Sequence, residues 1–211
     1  MKRILIGLLF SGSLLQASAQ DEKAGSEGNG FKKENMFVGG DLTLSFSNYA
    51  TVLGISPYFG YSLNKYLDVA ASANFNYTSQ RDYIEYGDKV RQTVYGPGAF
   101  VRVFPVKFLF AQAEYQHNFI KYKYIPADNG SYAPSTDHVD ANSLLLGAGF
   151  AGGREGKGTS FYYISIMWDV AKVAESPYVD GLGRALPIIR AGYNIALFQG
   201  DNGGGRHRRR F

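Results

Sequence analysis

The sequence predicts an all-β protein, an eight-stranded antiparallel up-and-down transmembrane β-barrel. Three observations carry this prediction. Eight segments alternate between apolar and polar side chains, which is the period of a β-strand with two different faces. Long and short connections follow one another between these segments, as in barrels that have both termini in the periplasm. Sixteen Tyr and fifteen Phe, many of them near segment ends, suit the aromatic girdles of such barrels.

The clearest element is the hairpin from Tyr95 to Phe119. A tight turn at 105–107 separates two arms, and each arm has about the 9–11 residues that a tilted strand needs to cross the hydrocarbon core of a bilayer. Arg102 and Glu114 lie on its polar face, and we interpret the hairpin as one quarter of the barrel. The other face is apolar throughout and carries Tyr95, Pro97, Ala99, Val101, Val103, Leu109, Ala111, Ala113, Tyr115 and Phe119.

The chain begins with the pattern of a secretory signal peptide. Lys2 and Arg3 precede an apolar run, and small residues follow at Ala17 and Ala19, so residues 1–19 are predicted to be removed. A membrane anchor is the alternative, but the run is shorter than the about 20 residues of a spanning helix. Residues 20–35 are polar, charged and rich in Gly, and we expect a loose periplasmic leader there.

The predicted barrel comprises residues 36–198. Its strands are expected near residues 36–47, 52–62, 67–79, 92–104, 108–120, 141–151, 160–170 and 186–198. Pro57 and Pro97 lie inside two of these strands, and each suggests a β-bulge because proline donates no ladder hydrogen bond. The connection at 152–159 is long for the periplasmic side. Residues 199–211 form a basic tail that is expected to be flexible.

A soluble ligand-binding barrel would show the same alternation with its apolar face inside. The polar positions favour the membrane version, because a wall in water would carry many Lys and Glu side chains. Here they are mostly Gly, Ser, Asn and Thr, with few charges. Without the signal peptide and the tail, the chain has 16 basic and 17 acidic residues, so its net positive charge indicates no nucleic-acid partner.

A small set of charged side chains is predicted to lie inside the barrel. Shifting the strand phase by one residue would turn most of them toward lipid, where an Arg at the midplane costs about 2–4 kcal/mol. Buried charges need partners, so we expect Asp169 across from Arg190 and Asp68 diagonal to Arg102. Eight strands enclose a lumen that side chains nearly fill, which predicts a polar, largely plugged interior. The predicted lumen charges are Asp41, Asp68, Arg102, Glu114, Asp169 and Arg190.

Residues 36–198 resemble the small bacterial outer-membrane β-barrel superfamily, in particular OmpA- and OmpX-like barrels. The match lies in the eight strands, the loop asymmetry and the closing strand. That strand carries Arg190, Gly192, Ile195 and Leu197 in an arrangement similar to the assembly signal of the family. The resemblance implies recognition by the barrel-insertion machinery. Such signals usually end the protein, whereas thirteen residues follow here, too few for a peptidoglycan-binding domain.

The sequence offers little for catalysis, and we predict no enzymatic activity and no cofactor. Cys is absent, which excludes thiol chemistry. The run from His117 to Phe119 lacks the Ser of the His-x-Ser-Asn pattern of lipid A deacylases, so His117 is expected to be an interfacial side chain. Two groups of loop carboxylates match no calcium-loop spacing, and no metal site is predicted. They are Asp82, Glu85 and Asp88, and Asp128, Asp137 and Asp140.

The leading hypothesis is a monomeric integral protein of the outer membrane of a Gram-negative bacterium, with a structural or surface-interaction role. Its expected partners are outer-membrane lipid, the insertion machinery and a surface ligand bound by long, Tyr-rich loops. Two alternatives are a narrow transporter-like barrel for small solutes and a secreted soluble ligand-binding barrel. The terminal run 206–210 either contacts anionic lipid or is a disordered end.

Overall fold

The structure, a computed structural model, describes residues 31–46, 50–128, 130–180 and 182–199. The predicted signal peptide and all but the first residue of the predicted tail lie outside these ranges. No helix within them is long and apolar enough to span a membrane. A 3₁₀ turn at Lys33–Asn35 precedes eight strands: β1 (Met36–Phe46), β2 (Ala50–Asn64), β3 (Leu67–Arg81), β4 (Lys89–Val106), β5 (Leu109–Ile125), β6 (Ser135–Gly152), β7 (Phe161–Asp169) and β8 (Ile188–Ala196).

Each strand pairs in antiparallel fashion with the next, and β1 also pairs with β8. The sheet therefore closes into a barrel, and the predicted eight-stranded up-and-down architecture is confirmed. Closure satisfies the backbone donors and acceptors between strands, which a sheet surrounded by lipid requires.

Alternate side chains along each strand face opposite sides of this wall. In β5, Leu109 and Tyr115 are exposed on the outside, while Phe110, Glu114 and Gln116 are buried on the inside. Large apolar side chains are exposed all around the outer wall, and most buried side chains with polar or charged groups are inside. Period-two alternation produces this arrangement because successive side chains of a strand point in opposite directions.

The barrel wall is much taller on one side than on the other. β4 and β6 have 18 residues each and β5 has 17, whereas β7 and β8 have nine each. The predicted strand ends at residues 120 and 141 are wrong, because β5 continues to Ile125 and β6 begins at Ser135. In the β5 extension Lys121 and Lys123 alternate with Tyr122 and Tyr124, and residues 135–140 of β6 are mostly polar, so the apolar period of the lower parts of these strands is absent. We call the upper parts of β3–β6, residues 77–81, 89–94, 120–125 and 135–140, the tall wall.

The two strand prolines interrupt the ladder without a bulge. Pairing of β2 with β3 skips Pro57, and pairing of β4 with β5 skips Pro97, yet the register is the same on both sides of each gap. The predicted bulges at these prolines are therefore wrong: a missing donor removes a hydrogen bond but requires no extra residue. The register instead shifts at Ser62/Asn64 and Val103/Val106, next to the tight turns.

Candidate functional site

The candidate site is the charged centre of the lumen. All six predicted lumen charges are at most 4 % exposed in the structure. They sit on the inner faces of β1, β3, β4, β5, β7 and β8, so residues far apart in the chain meet across a narrow space. Desolvated charges of this kind are retained only where other groups compensate them.

Glu114 on β5 is the hub of this centre. Its carboxylate accepts a hydrogen bond from Arg190 Nη1 at 2.7 Å, from Gln116 Nε2 at 2.7 Å and from Gln112 Nε2 at 3.0 Å. Gln112 and Gln116 lie two residues on either side of Glu114, because that spacing keeps all three on the inner face. The carboxylate is thereby held in one position.

Arg190 on β8 has one partner across the lumen and one on the adjacent strand β1. Besides Glu114, its guanidinium Nε lies 3.7 Å from Asp41 Oδ1, and Tyr163 Oη donates to the other oxygen of Asp41 at 3.3 Å. The predicted position of Asp169 across from Arg190 is wrong, since the β7 neighbour of Arg190 is Ser165. Asp169 lies four residues beyond Ser165 along β7, nearer to the end of the barrel that carries the long loops.

Arg102 is enclosed by aromatic rings. Its guanidinium carbon lies 4.4 Å from the ring centroid of Tyr163, 4.7 Å from that of Phe110 and 4.9 Å from that of Phe100. Its Nε donates to Gln112 Oε1 at 2.9 Å. Ring faces attract a desolvated cation, so this cage stabilises the charge without a carboxylate in contact. Asp68 lies directly opposite Arg102 in the register, so the predicted diagonal position is also wrong.

Arg154 closes the lower end of the lumen, which is the end with the tight turns, and it is not among the predicted lumen charges. Arg154 lies in the connection between β6 and β7, and its side chain points into the lumen. There Nη2 lies 3.3 Å from Asp68 Oδ1, and Nη1 donates to the carbonyl of Lys65 at 2.9 Å. The guanidinium also stacks 3.6 Å from the ring centroid of Phe104. The unusual length of the connection at 152–159 was the signal for an inserted side chain.

The upper end of the lumen is filled by the segment between β7 and β8. Tyr178 Oη donates to Gln116 Oε1 at 2.9 Å and accepts from Asn76 Nδ2 at 3.1 Å. Ser176 Oγ donates to Asp169 Oδ2 at 2.6 Å, which gives Asp169 a partner on its own side of the barrel. Tyr178 also belongs to a buried apolar cluster with Leu145, Met167 and Ile188.

In the loop between β3 and β4, Asp82, Glu85 and Asp88 each accept hydrogen bonds from backbone amides. Asp88 Oδ1 accepts from the amide of Tyr83 at 2.6 Å, and Oδ2 accepts from the amides of Ile84 and Glu85 at 2.9 and 3.0 Å. Tyr132 Oη donates to Asp88 at 2.9 Å, and Glu85 accepts from Ser131, so the two neighbouring loops are joined. Within the described part of the chain, no group of three or more His, Asp or Glu side chains could hold a metal ion.

The loop held by Asp88 is expected to loosen in acid. Burial by itself raises the pKa of Asp88, but the three amide donors outweigh it and the pKa lies below the ordinary value. The stabilisation is therefore present above the ordinary carboxyl pKa and is lost as the pH falls through the lower folded-state pKa. Amide hydrogen exchange of Tyr83, Ile84 and Glu85, corrected for the intrinsic rate at each pH, measures it.

The matched variants for this loop are Asp88→Asn and Asp128→Asn. We expect Asp88→Asn to lose amide protection already at neutral pH, because it removes the charge from the acceptor. Asp128 is exposed in the neighbouring loop, and its replacement is expected to leave the protection unchanged. Full protection in Asp88→Asn at neutral pH would show that the carboxylate does not hold the loop.

His117 lies on the outer wall among aromatic side chains. Its Nδ1 is 2.8 Å from Asn142 Oδ1, and its ring meets the ring of Phe119 edge-on with centroids 4.8 Å apart. Tyr115 Oη donates to the same Asn142 oxygen at 2.8 Å. These contacts give His117 a polar partner where the apolar wall ends.

A closed ring of eight antiparallel strands, with an apolar outer wall and compensated charges inside, defines a transmembrane β-barrel. Its strand number and up-and-down order are those of the OmpA- and OmpX-like outer-membrane barrels. A scan against models of protein families finds no match, and a search of curated protein sequences finds none.

Solved structures similar to this chain include Ail, the attachment invasion locus protein of Yersinia pestis. In its complex with the heparin analogue sucrose octasulfate, Ail is 11% identical with a TM-score of 0.43, and the match covers 76% of this chain and 96% of Ail. Another Ail structure is 13% identical over the same shares, with a TM-score of 0.40. The N-terminal β-barrel domain of Pseudomonas aeruginosa OprF is 15% identical, covering 76% of this chain and 94% of OprF, with a TM-score of 0.39.

Proposed function

We propose that this chain is an integral outer-membrane protein of a Gram-negative bacterium, with a structural or surface-interaction role and a lumen that passes no solute. The observation that supports a closed lumen is the mutual compensation of its charges: Arg190 pairs with Glu114 and Asp41, and Arg154 pairs with Asp68. A water-filled channel would leave such groups to solvent. Here they cross-link the strands instead.

The proposed contact surface is the Tyr-rich rim of the long loops. Tyr86 is 93 % exposed, and Tyr83, Tyr124 and Tyr132 line a surface pocket of about 500 Å³ together with Asp137. Tyr combines a large apolar ring with a hydroxyl group and is enriched in protein interfaces. A monomer is proposed, because each of the eight strands already pairs with two neighbouring strands of the same chain.

We also propose that the closing strand is recognised by the insertion machinery through Arg190, Gly192, Ile195 and Leu197. Arg190 and Gly192 also have structural roles in the folded barrel, so their replacement would not test recognition alone. Arg190 is part of the lumen centre, and a Cβ at Gly192 would lie 2.5 Å from the Tyr163 ring. Ile195→Ser with Leu197→Ser therefore tests recognition: slower insertion with the purified machinery, but unchanged insertion into pure lipid, is expected.

Planar-bilayer conductance of the full chain tests the closed lumen. Wild type is expected to carry no steady current. Replacement of Glu114, Tyr178 and Arg190 by Ala removes the centre of the network, and this variant is expected to conduct. Replacement of Tyr83, Tyr86 and Tyr132 by Ala truncates three loop side chains as a matched control and is expected to stay closed. A steady, solute-sensitive wild-type current would favour the transporter alternative.

Cell fractionation with heat-modifiable gel mobility tests location and closure together. The proposal expects the chain in the outer-membrane fraction, with unheated protein migrating differently from heated protein. Mature protein that stays in solution without detergent would favour the secreted soluble barrel.

A further inference from the structure

The outer face of the tall wall carries a cluster of exposed cations. Outward positions in β3, β4 and β5 are the odd-numbered residues, and five of the nine such positions within the tall wall are basic. Each of the cations is exposed. We call Arg81, Lys89, Arg91, Lys121 and Lys123 the basic patch.

The strand register places these cations side by side. Arg81 lies directly opposite Lys89, Arg91 lies directly opposite Lys123, and Lys121 faces His138 on β6. Residues opposite each other are about 5 Å apart, and like charges in that position destabilise a sheet. The repulsion between these paired cations therefore destabilises the tall wall unless an anion from outside the chain binds between them.

The chain itself supplies little compensation. None of the ion pairs within the described ranges involves a residue of the basic patch. The nearest outward acid in the register is Asp140, one row lower and opposite Phe119. Asp82 and Asp88 adjoin Arg81 and Lys89 in the chain, but both carboxylates accept hydrogen bonds from backbone amides of the loop, so the basic patch keeps a net positive charge.

The height of the basic patch along the barrel places it beside the lipid headgroups. From Leu109 to Phe119 the outward side of β5 is apolar or aromatic apart from His117, and ten residues at about 3.4 Å, tilted by about 40°, rise about 26 Å. That is the height of the apolar band of an outer-membrane barrel, about 25 Å. The rings of Tyr95 and Phe119, with centroids 5.5 Å apart, mark its upper border. Lys121 is the next outward residue, so the basic patch begins at headgroup level.

We infer that the basic patch binds the phosphate groups of anionic glycolipid in the outer leaflet, and so fastens the tall wall to the leaflet surface. Lys and Arg side chains form short, charge-assisted hydrogen bonds with phosphate. The outward direction of the patch favours membrane lipid over a soluble polyanion, because it faces the leaflet sideways rather than the exterior from the loop tips. The inference rests on the membrane location proposed above and adds a ligand class to it.

Titration of the full chain in detergent micelles with purified lipopolysaccharide tests this inference. Two lipid preparations are compared, one with its lipid A phosphates and one dephosphorylated, with heparin as the soluble polyanion. The patch variant replaces Arg91, Lys121 and Lys123 by Gln. The control replaces Lys65, Lys107 and Lys157, which are exposed at the opposite end of the barrel, by Gln. Heat-modifiable mobility is recorded for each variant, so loss of the fold is distinguished from loss of binding.

Wild type and the control are expected to bind the phosphorylated lipid, with affinity falling as salt rises. The patch variant is expected to bind it about a hundredfold more weakly, since each cation near an anionic lipid surface contributes roughly a factor of five. Equal wild-type binding of both lipid preparations, or equal binding by the patch and control variants, would overturn the inference. Tighter wild-type binding of heparin than of the phosphorylated lipid would also overturn it and identify a soluble polyanion as the ligand. A chain that fails to enter membranes at all would refute the proposed function separately.

Discussion

Glu114→Ala is expected to lower the free energy of unfolding of the barrel by about 3–5 kcal/mol, the usual cost of leaving one partner of a buried ion pair uncompensated. The change leaves Arg190 with only the longer contact to Asp41 at 3.7 Å, and it leaves Gln112 and Gln116 without their shared acceptor. Urea unfolding in lipid vesicles measures the effect. Trp168 is the only Trp of the chain and lies on the outer wall, so its fluorescence reports the transition.

Glu155→Ala is the matched control for Glu114→Ala. Glu155 is an exposed residue of the connection that precedes β7, and its replacement is expected to change stability by less than about 0.5 kcal/mol. The triple variant Glu114→Gln, Arg190→Met and Asp41→Asn removes all three charges of this network and is expected to cost less than Glu114→Ala. A loss below about 1 kcal/mol in Glu114→Ala, the net value of an ordinary hydrogen bond, would show that the hub does not hold the strands together.

Arg154→Ala is expected to cost a similar amount, about 3–5 kcal/mol, because it leaves the buried carboxylate of Asp68 without its partner. It also removes the donor to the Lys65 carbonyl and the cation stacked on Phe104. The same fluorescence measurement applies, and the loss of the lower closure is expected to speed unfolding.

Lys157→Ala provides the control within the same connection. Its side chain is exposed, so the variant removes a cation of similar length without emptying the lumen. Adding Asp68→Asn to Arg154→Ala neutralises the stranded carboxylate and is expected to recover part of the loss. Equal stability of Arg154→Ala and Lys157→Ala would mean that the buried contact with Asp68 contributes nothing.

The sequence by itself predicted the strand number, the barrel class and the side of the wall on which Arg102, Glu114 and Arg190 lie. These properties are local, because successive side chains of a strand point to opposite faces and a shift by one residue would carry charges into lipid. The upper ends of β5 and β6 were not predicted, because the prediction of strands relied on this alternation. Above the apolar band both faces are polar or aromatic, so alternation no longer distinguishes strand from loop.

Only the tertiary structure decided which charges meet. Glu114 on β5 and Arg190 on β8 are separated by two strands along the sheet, and their 2.7 Å contact exists because barrel closure brings opposite walls together. Alternation determines the face of each side chain but not its height relative to strands across the lumen, which depends on stagger and closure. Arg154 shows the same limit, since a residue in a connection has no strand period and reached Asp68 only because the chain folds back into the lower opening.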